Sequence, residues 1–359
     1  MIAAIQNSMK YFRRRPFEIT AIVGAALFLS SCQRGTTGIA MPPTQENPIV
    51  IPPGFPPPII PADDPVTPAK VTLGRDLFYA TELSRDGQHS CGSCHILSAS
   101  FCDPGNHWSF GVDGRHGPRN ASCIVNEAYD TAFFWDGRAP SLEAQVPVPI
   151  YNPVELDNDS TTVIESLSKN VLYPPLFTLA FGDGAITMTR IAQAVASFER
   201  TMISGSSAYD QFREGDTSAL SDAAKRGFAL FTSSTTNCSA CHSGVNFTDD
   251  AYHSTGLEFQ YADEGREDVT HDPNDNGKFR TPTLRNIALT APYMHDGRFN
   301  TLVQVLDQYN RGGFHNPTQD TLVRPLHLTQ AQMEDIIAFL ESLTDSSFVT
   351  RKDFSNPFN

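Results

Sequence analysis

The sequence predicts a mostly α-helical protein made of two tandem copies of one small unit, with long loops. Three observations predict it. Apolar residues recur at helical spacing in several segments. No sustained run of alternating apolar and polar residues reads as a sheet. An ordered set of short motifs occurs twice, which marks an internal duplication. The length agrees, since 359 residues hold two domains of about 150 each. With 40% apolar and 18% charged residues the chain is too apolar for disorder and too polar for a polytopic membrane protein. A formal net charge of −14 argues against nucleic acid as a partner, because phosphate binding needs clustered Lys and Arg.

The first 31 residues read as an address. Lys10, Arg13, Arg14 and Arg15 form a basic stretch, followed by an apolar run from Ile19 to Leu29. Eleven residues are about half of what a spanning helix needs. The run ends in Leu29-Ser30-Ser31-Cys32, which resembles a bacterial lipobox, so residues 1–31 are expected to be a lipoprotein signal peptide with Cys32 lipidated. The expected location is the periplasmic face, with the membrane touched only through the lipid. Gln33 after Cys32 does not look like an inner-membrane retention signal. Residues 32–65 then read as a semi-rigid tether, since 42–68 hold eleven of the 26 prolines.

The folded part is expected over 66–346, as an N-terminal unit at 66–217 and a C-terminal unit at 218–346, with 347–359 as a tail. Residues 66–80 and 219–232 read as helices. Leu328 to Leu343 reads as a third, with Met333, Ile336, Ile337 and Leu340 at helical spacing and Thr329 as N-cap. Each of the first two leads into a Cys-x-x-Cys-His: Cys91, Cys94, His95 and Cys238, Cys241, His242. Two thiols at this spacing bond to the two vinyl groups of one haem, and the adjacent His reaches the iron. Zinc would need two more ligands near each pair, and a redox Cys-x-x-Cys has no use for a His twice at this position. Two covalently bound c-type haems are therefore expected. The repeat continues past the motifs. Leu73-Gly74-Arg75 matches Arg226-Gly227-Phe228 before them. Arg119-Asn120 and Arg285-Asn286 follow, then Asp136-Gly137-Arg138 and Asp296-Gly297-Arg298.

With these residues in view the chain resembles the bacterial di-haem cytochrome c peroxidases, and within them the MauG-like branch. The resemblance covers roughly 66–345. It rests on Gly117-Pro118-Arg119-Asn120, Phe134-Trp135-Asp136-Gly137-Arg138-Ala139, Gln145, Asn152-Pro153-Val154-Glu155 and Thr290-Ala291-Pro292-Tyr293-Met294-His295-Asp296-Gly297. It implies that H2O2 reacts at the His95 haem, with Glu155 and Gln145 on its distal side. Trp135 would relay oxidising equivalents to the His242 haem, and Asn120, Thr290 and Pro292 would hold Ca²⁺ between the units. The implied electron donor is a small cytochrome or cupredoxin, or residues of a protein substrate. The competing reading is a lipid-anchored di-haem carrier without turnover, against which the distal acid and Trp135 argue.

The chain departs from the peroxidase pattern in one place. Related peroxidases block the first iron with a distal His, and Val112 stands in that register. His107 and His116 are the nearby substitutes. The family's sixth ligand to the second iron falls on Tyr309, with Met294 as competitor. Cys102 and Cys123 are left over, and a disulfide between them is the expectation for an exported chain. Asp272 to Gly277 begins like a calcium loop, but its twelfth position is Thr283, where a Glu is needed, so it reads as a polar insertion.

Overall fold

The structure, a computed structural model, describes residues 48–358. The signal segment, Cys32 and the tether up to residue 47 lie outside the described residues. Among the described residues, no helix is long and apolar enough to cross a membrane. Helices and loops dominate, and the sheet they contain is one short antiparallel pair, Tyr252–His253 with Phe279–Arg280.

Each lobe is built on a pair of crossing helices. In the first, the helix Pro68–Phe78 starts at Thr67, whose hydroxyl accepts the Lys70 N–H at 3.2 Å, and Pro68 suits the first turn because its missing N–H costs nothing there. Its buried face, with Leu73, Leu77 and Phe78, packs on Ile191, Val195 and Phe198 of the helix Met188–Glu199. The axes meet at Gly74, where a Cβ would lie 1.8 Å from the Ala194 carbonyl oxygen. In the second lobe the helix Asp222–Phe231, capped by Ser221, crosses Gln330–Glu341, capped by Thr329. Here a Cβ on Gly227 would lie 1.9 Å from the Asp335 carbonyl oxygen. The repeated glycine of the sequence is thus the contact point that brings each pair together. Two apolar cores follow, one on each pair.

The structure moves the register of one part of the repeat. Arg119-Asn120 and Arg285-Asn286 do not match in backbone. Asn126 does match Asn286. Both are left-handed (φ 60° and 58°), and both start a short 3-10 turn, Glu127–Tyr129 and Ile287–Leu289. Their side chains converge on Ser204. Asn126 Nδ2 donates to the Ser204 carbonyl (3.0 Å) and Asn126 Oδ1 accepts the Ser204 N–H (2.6 Å). Asn286 Nδ2 donates to Ser204 Oγ (3.1 Å) and Ser100 Oγ (2.9 Å), and its Oδ1 accepts the Asp345 N–H (2.7 Å). Burial opposes ionisation of Asp345, but hydrogen bonds from Ser347 and from the N–H groups of Ser206, Phe348 and Gly205 hold it below the usual carboxylate range.

Residues 347–358, set apart as a tail by the sequence, belong to the first lobe. Phe348 and Phe354 are buried against Phe101, and Phe354 also against Phe198. Arg75 Nε donates to the Ser355 carbonyl (2.7 Å) and Tyr79 OH to that of Phe354 (2.7 Å). The described end of the tether is also laid down. Lys70 and Asp64 form a buried ion pair at 2.5 Å, and the Ile59 N–H donates to the Ala128 carbonyl at 2.7 Å.

A methyl group at either crossing glycine has no space against backbone. Gly74→Ala and Gly227→Ala should each lose at least about 1–3 kcal/mol in denaturant unfolding. Gly117→Ala, whose added carbon would meet only Val154 Cγ2 at 3.8 Å, should be close to neutral.

Candidate functional site

The two Cys-x-x-Cys-His motifs adopt one geometry. Cys91–Cys94 and Cys238–Cys241 are single helical turns, which set each pair of thiols on one face. The His that follows leaves the helix and turns its Nδ1 onto a backbone carbonyl: His95 on Phe101 (2.8 Å) and His242 on Phe247 (3.1 Å). A carbonyl only accepts, so Nδ1 carries the proton and Nε2 keeps its lone pair. Burial pushes both imidazoles below their ordinary pKa, which keeps them neutral and able to ligate. Burial also raises the Cys91 and Cys94 thiols, the latter to about 11, in positions that thioethers would fill. Each motif lines an apolar cavity, about 850 Å³ at His95 and about 250 Å³ at His242. Paired thiols, a neutral histidine with its outer nitrogen fixed, and an apolar slot beside it fit a c-type haem at each motif.

The first cavity holds the acid and the amide picked out by sequence. Glu155 sits in a tight turn, and its Oε1 accepts from Asn152 Nδ2 at 2.6 Å. Burial raises its pKa and outweighs that hydrogen bond. Gln145 ends the short helix Leu142–Gln145 and lines the same cavity. Val112 is fully buried and is not on the cavity wall, and its N–H donates to the Glu155 carbonyl at 2.9 Å. Neither His107 nor His116 lines the cavity; His116 is stacked on Trp108 at the surface.

Trp135 lines both cavities. Its Nε1 donates to the Asn120 carbonyl at 2.9 Å. His295, which sequence reading passed over, lines both as well, and the Asn120 N–H donates to its carbonyl at 2.7 Å. The two rings occupy matching places in the repeat. Trp135 sits in a turn closed by the Phe133–Ala139 bridge and His295 in one closed by Tyr293–Phe299, with Phe134 and Met294 both left-handed. Burial depresses His295 to about 4, and it stacks on Phe279 at 3.8 Å.

Tyr309 and Met294 both line the second cavity. Burial raises the Tyr309 phenol, with further contributions from Cys238 and Cys241 beside it. Met294 packs instead with Trp135 and Phe299 against Leu257, Tyr261 and Phe279. Asn120, Thr290 and Pro292 line this cavity too. Asn120 Nδ2 donates to the carbonyls of Asn106 (3.0 Å) and His107 (3.3 Å), and the Gly105 N–H donates to that of Ala291 (3.3 Å), so the three loops meet. Cys102 and Cys123 are bonded, with their Cα atoms 4.4 Å apart.

Two further acids, one buried and one half-buried, stand on the first cavity. Glu199 and Glu127 both line it. Burial pushes each above the usual range, Glu199 against the pull of Arg200, and Glu127 with added repulsion from Glu199 and Asp130. Glu199 Oε2 has no hydrogen-bond partner. The available signal was an acid placed four residues after Val195 on the apolar face of its helix.

Comparison with known proteins gives one answer. The sequence profile of the di-haem cytochrome c peroxidases matches residues 68–218, and that of cytochrome c matches 224–344. The methylamine utilization protein MauG of Methylorubrum extorquens is 40% identical over 293 residues, 79% of this chain and 80% of that protein. The cytochrome-c peroxidase IdrP1 of a Pseudomonas species (strain SCT) is 33% identical over 376 residues, 96% of each chain. A crystal structure of a MauG-like protein associated with microbial copper homeostasis superposes with a TM-score of 0.82 at 33% identity, covering 86% of this chain and 99% of that one. A likeness this long, carried by both haem motifs, makes the chain a member of the di-haem cytochrome c peroxidase family, in its MauG-like branch, and a protein of two c-type haems.

Proposed function

We propose that this peroxidase reduces H2O2 at the His95 haem, in a domain spanning 66–217. Trp135 would carry oxidising equivalents towards a second haem held by Cys238, Cys241 and His242, in a domain spanning 218–346. The observation that carries the reading is Glu155, a half-buried carboxyl that lines the same cavity as His95. The haem, when bound, supplies the iron chemistry that splits the oxygen–oxygen bond. The protein supplies access, orientation and proton movement.

Glu155 is held at Oε1 by the Asn152 amide, which leaves Oε2 for the proton. Its carboxylate takes the proton from one peroxide oxygen and, as the acid, gives it to the other, which leaves as water. A raised pKa brings the two forms closer in energy and so suits both steps. The Gln145 amide orients the peroxide. Val112, buried behind the Glu155 turn, cannot ligate iron, so the reaction needs no prior reduction. Trp135, held at its N–H by Asn120, would serve as the relay, and Tyr309 would offer its phenol oxygen to the iron of the second haem. A phenolate favours the oxidised states, which suits a store of oxidising equivalents. Asn120, Thr290 and Pro292 offer amide and carbonyl oxygens, a donor set suited to Ca²⁺. The electrons come from a small redox protein or from residues of a partner protein, at a periplasmic site to which Cys32 anchors the chain by lipid.

Stopped-flow mixing of the as-isolated, diferric protein with H2O2 should change the haem spectrum at once; a change that requires prereduction would overturn the open-site reading. Glu155→Gln should slow this step by on the order of 10²-fold. The rate should rise with pH through the raised Glu155 pKa, as the carboxylate base forms, and this limb should vanish in the variant. Tyr309→Met should raise the reduction potential of the second haem, while Met294→Leu leaves its ligation unchanged; the opposite pattern in electron paramagnetic resonance would assign the ligand to Met294.

A further inference from the structure

The chain has two tryptophans, and both line the His95 cavity. Their N–H groups hang from carbonyls two residues apart. Trp135 donates to Asn120 (2.9 Å) and Trp108 to Pro118 (3.0 Å). From there they diverge. Trp135 packs inward, against the cluster of Leu257, Tyr261 and Phe279. Trp108 is 38% exposed. The next residue, Ser109, lines this cavity together with Cys94, so the Trp108 loop sits at the first haem site.

Outside the cavity, Trp108 lies flat on His116, with ring centres 4.6 Å apart and planes within 3°. Phe110, 52% exposed, stands edge-on to His116 at 5.6 Å. His116 Nδ1 is 2.9 Å from the Gly117 carbonyl, so Nδ1 carries the proton and Nε2 keeps a lone pair. Three aromatic rings thus form a shelf that begins on the cavity wall and ends in solvent. Exposed packing does not account for it, because leaving such rings in water forgoes the burial that normally pays for them.

We propose that Trp108 and His116 form a second, outward oxidation site that takes electrons from phenolic donors at the mouth of the first cavity. The inference rests on the peroxide reaction proposed above. Trp108 gives one electron inward and keeps its N–H on Pro118. A phenol stacked on the shelf refills the indole with one electron and releases its hydroxyl proton to His116 Nε2. The phenol leaves as a phenoxyl radical. Two such cycles supply the two electrons and, through His116, the two protons that turn one H2O2 into two waters. The aromatic shelf selects the donor by stacking on its ring, and the free imidazole nitrogen selects for a donor with a proton to lose.

The test is freeze-quenched electron paramagnetic resonance of the holoprotein after H2O2, with ring-deuterated tryptophan, in wild type, Trp108→Phe and Trp135→Phe. An indole radical should persist in Trp135→Phe, disappear in Trp108→Phe, and be quenched by guaiacol. Without donor, excess peroxide should hydroxylate Trp108, read by mass spectrometry. His116→Phe keeps a ring for stacking but removes the lone pair. It should slow guaiacol oxidation at least about ten-fold more than oxidation of ferrocyanide, which has no proton to give. A haem spectral change with no Trp108 radical and no Trp108 hydroxylation would overturn this proposal alone. Equal losses with both donors in His116→Phe would overturn the proton role. No haem spectral change at all would overturn both this site and the peroxidase reading.

Discussion

The meeting of Asn126 and Asn286 at Ser204 constrains everything else in the molecule. Two left-handed asparagines, one from each copy of the repeat, spend their amides on one buried serine and on the Asp345 backbone. Left-handed backbone is tolerated by Asn because its short polar side chain bonds locally. The two asparagines and Ser204 are fully buried, so each broken bond would leave a buried polar group unpaired. The asparagines fix where the following turns begin. Eight residues after each comes Phe134 or Met294, again left-handed, and then Trp135 or His295. The hub therefore sets the positions of the two rings in the wall between the cavities.

The duplication supplies the frame, and the differences between copies supply the chemistry. Each lobe has its glycine crossing, its short cysteine helix and its imidazole pinned at Nδ1. The first cavity adds carboxyl groups and an amide, with more open space. The second adds a buried phenol and is tighter. One cavity thus carries side chains able to hold and move protons, and its twin carries a phenol beside its cysteine motif. Where matching positions would have carried the same residue, an indole stands on one side and an imidazole on the other.

Much of this was legible in the chain. The cysteine motifs, the helices that precede them and the final helix follow from spacing, and they lie within a few residues of where periodicity puts them. Resemblance picked out Glu155, Gln145, Trp135 and Tyr309, and these fall on the two cavities. The repeat register was misread between residues 119 and 126, because a shared Arg-Asn pair is a weaker signal than a shared backbone conformation. His295 and Glu127 stand out only through what they face across the fold, which no local pattern reports, whereas Glu199 is marked by its place on the apolar face of its helix. The last dozen residues carry no strong periodicity, and their two phenylalanines were not recognised as core.

Those phenylalanines bear on the order in which the molecule can be completed. Phe348 and Phe354 close the core of the lobe that contains Cys91 and Cys94, yet they come after the whole second lobe in the sequence. The leading half of a growing chain therefore lacks two pieces of its own interior. Until they follow, the apolar core beside Cys91 is incomplete. The earlier-made lobe finishes last.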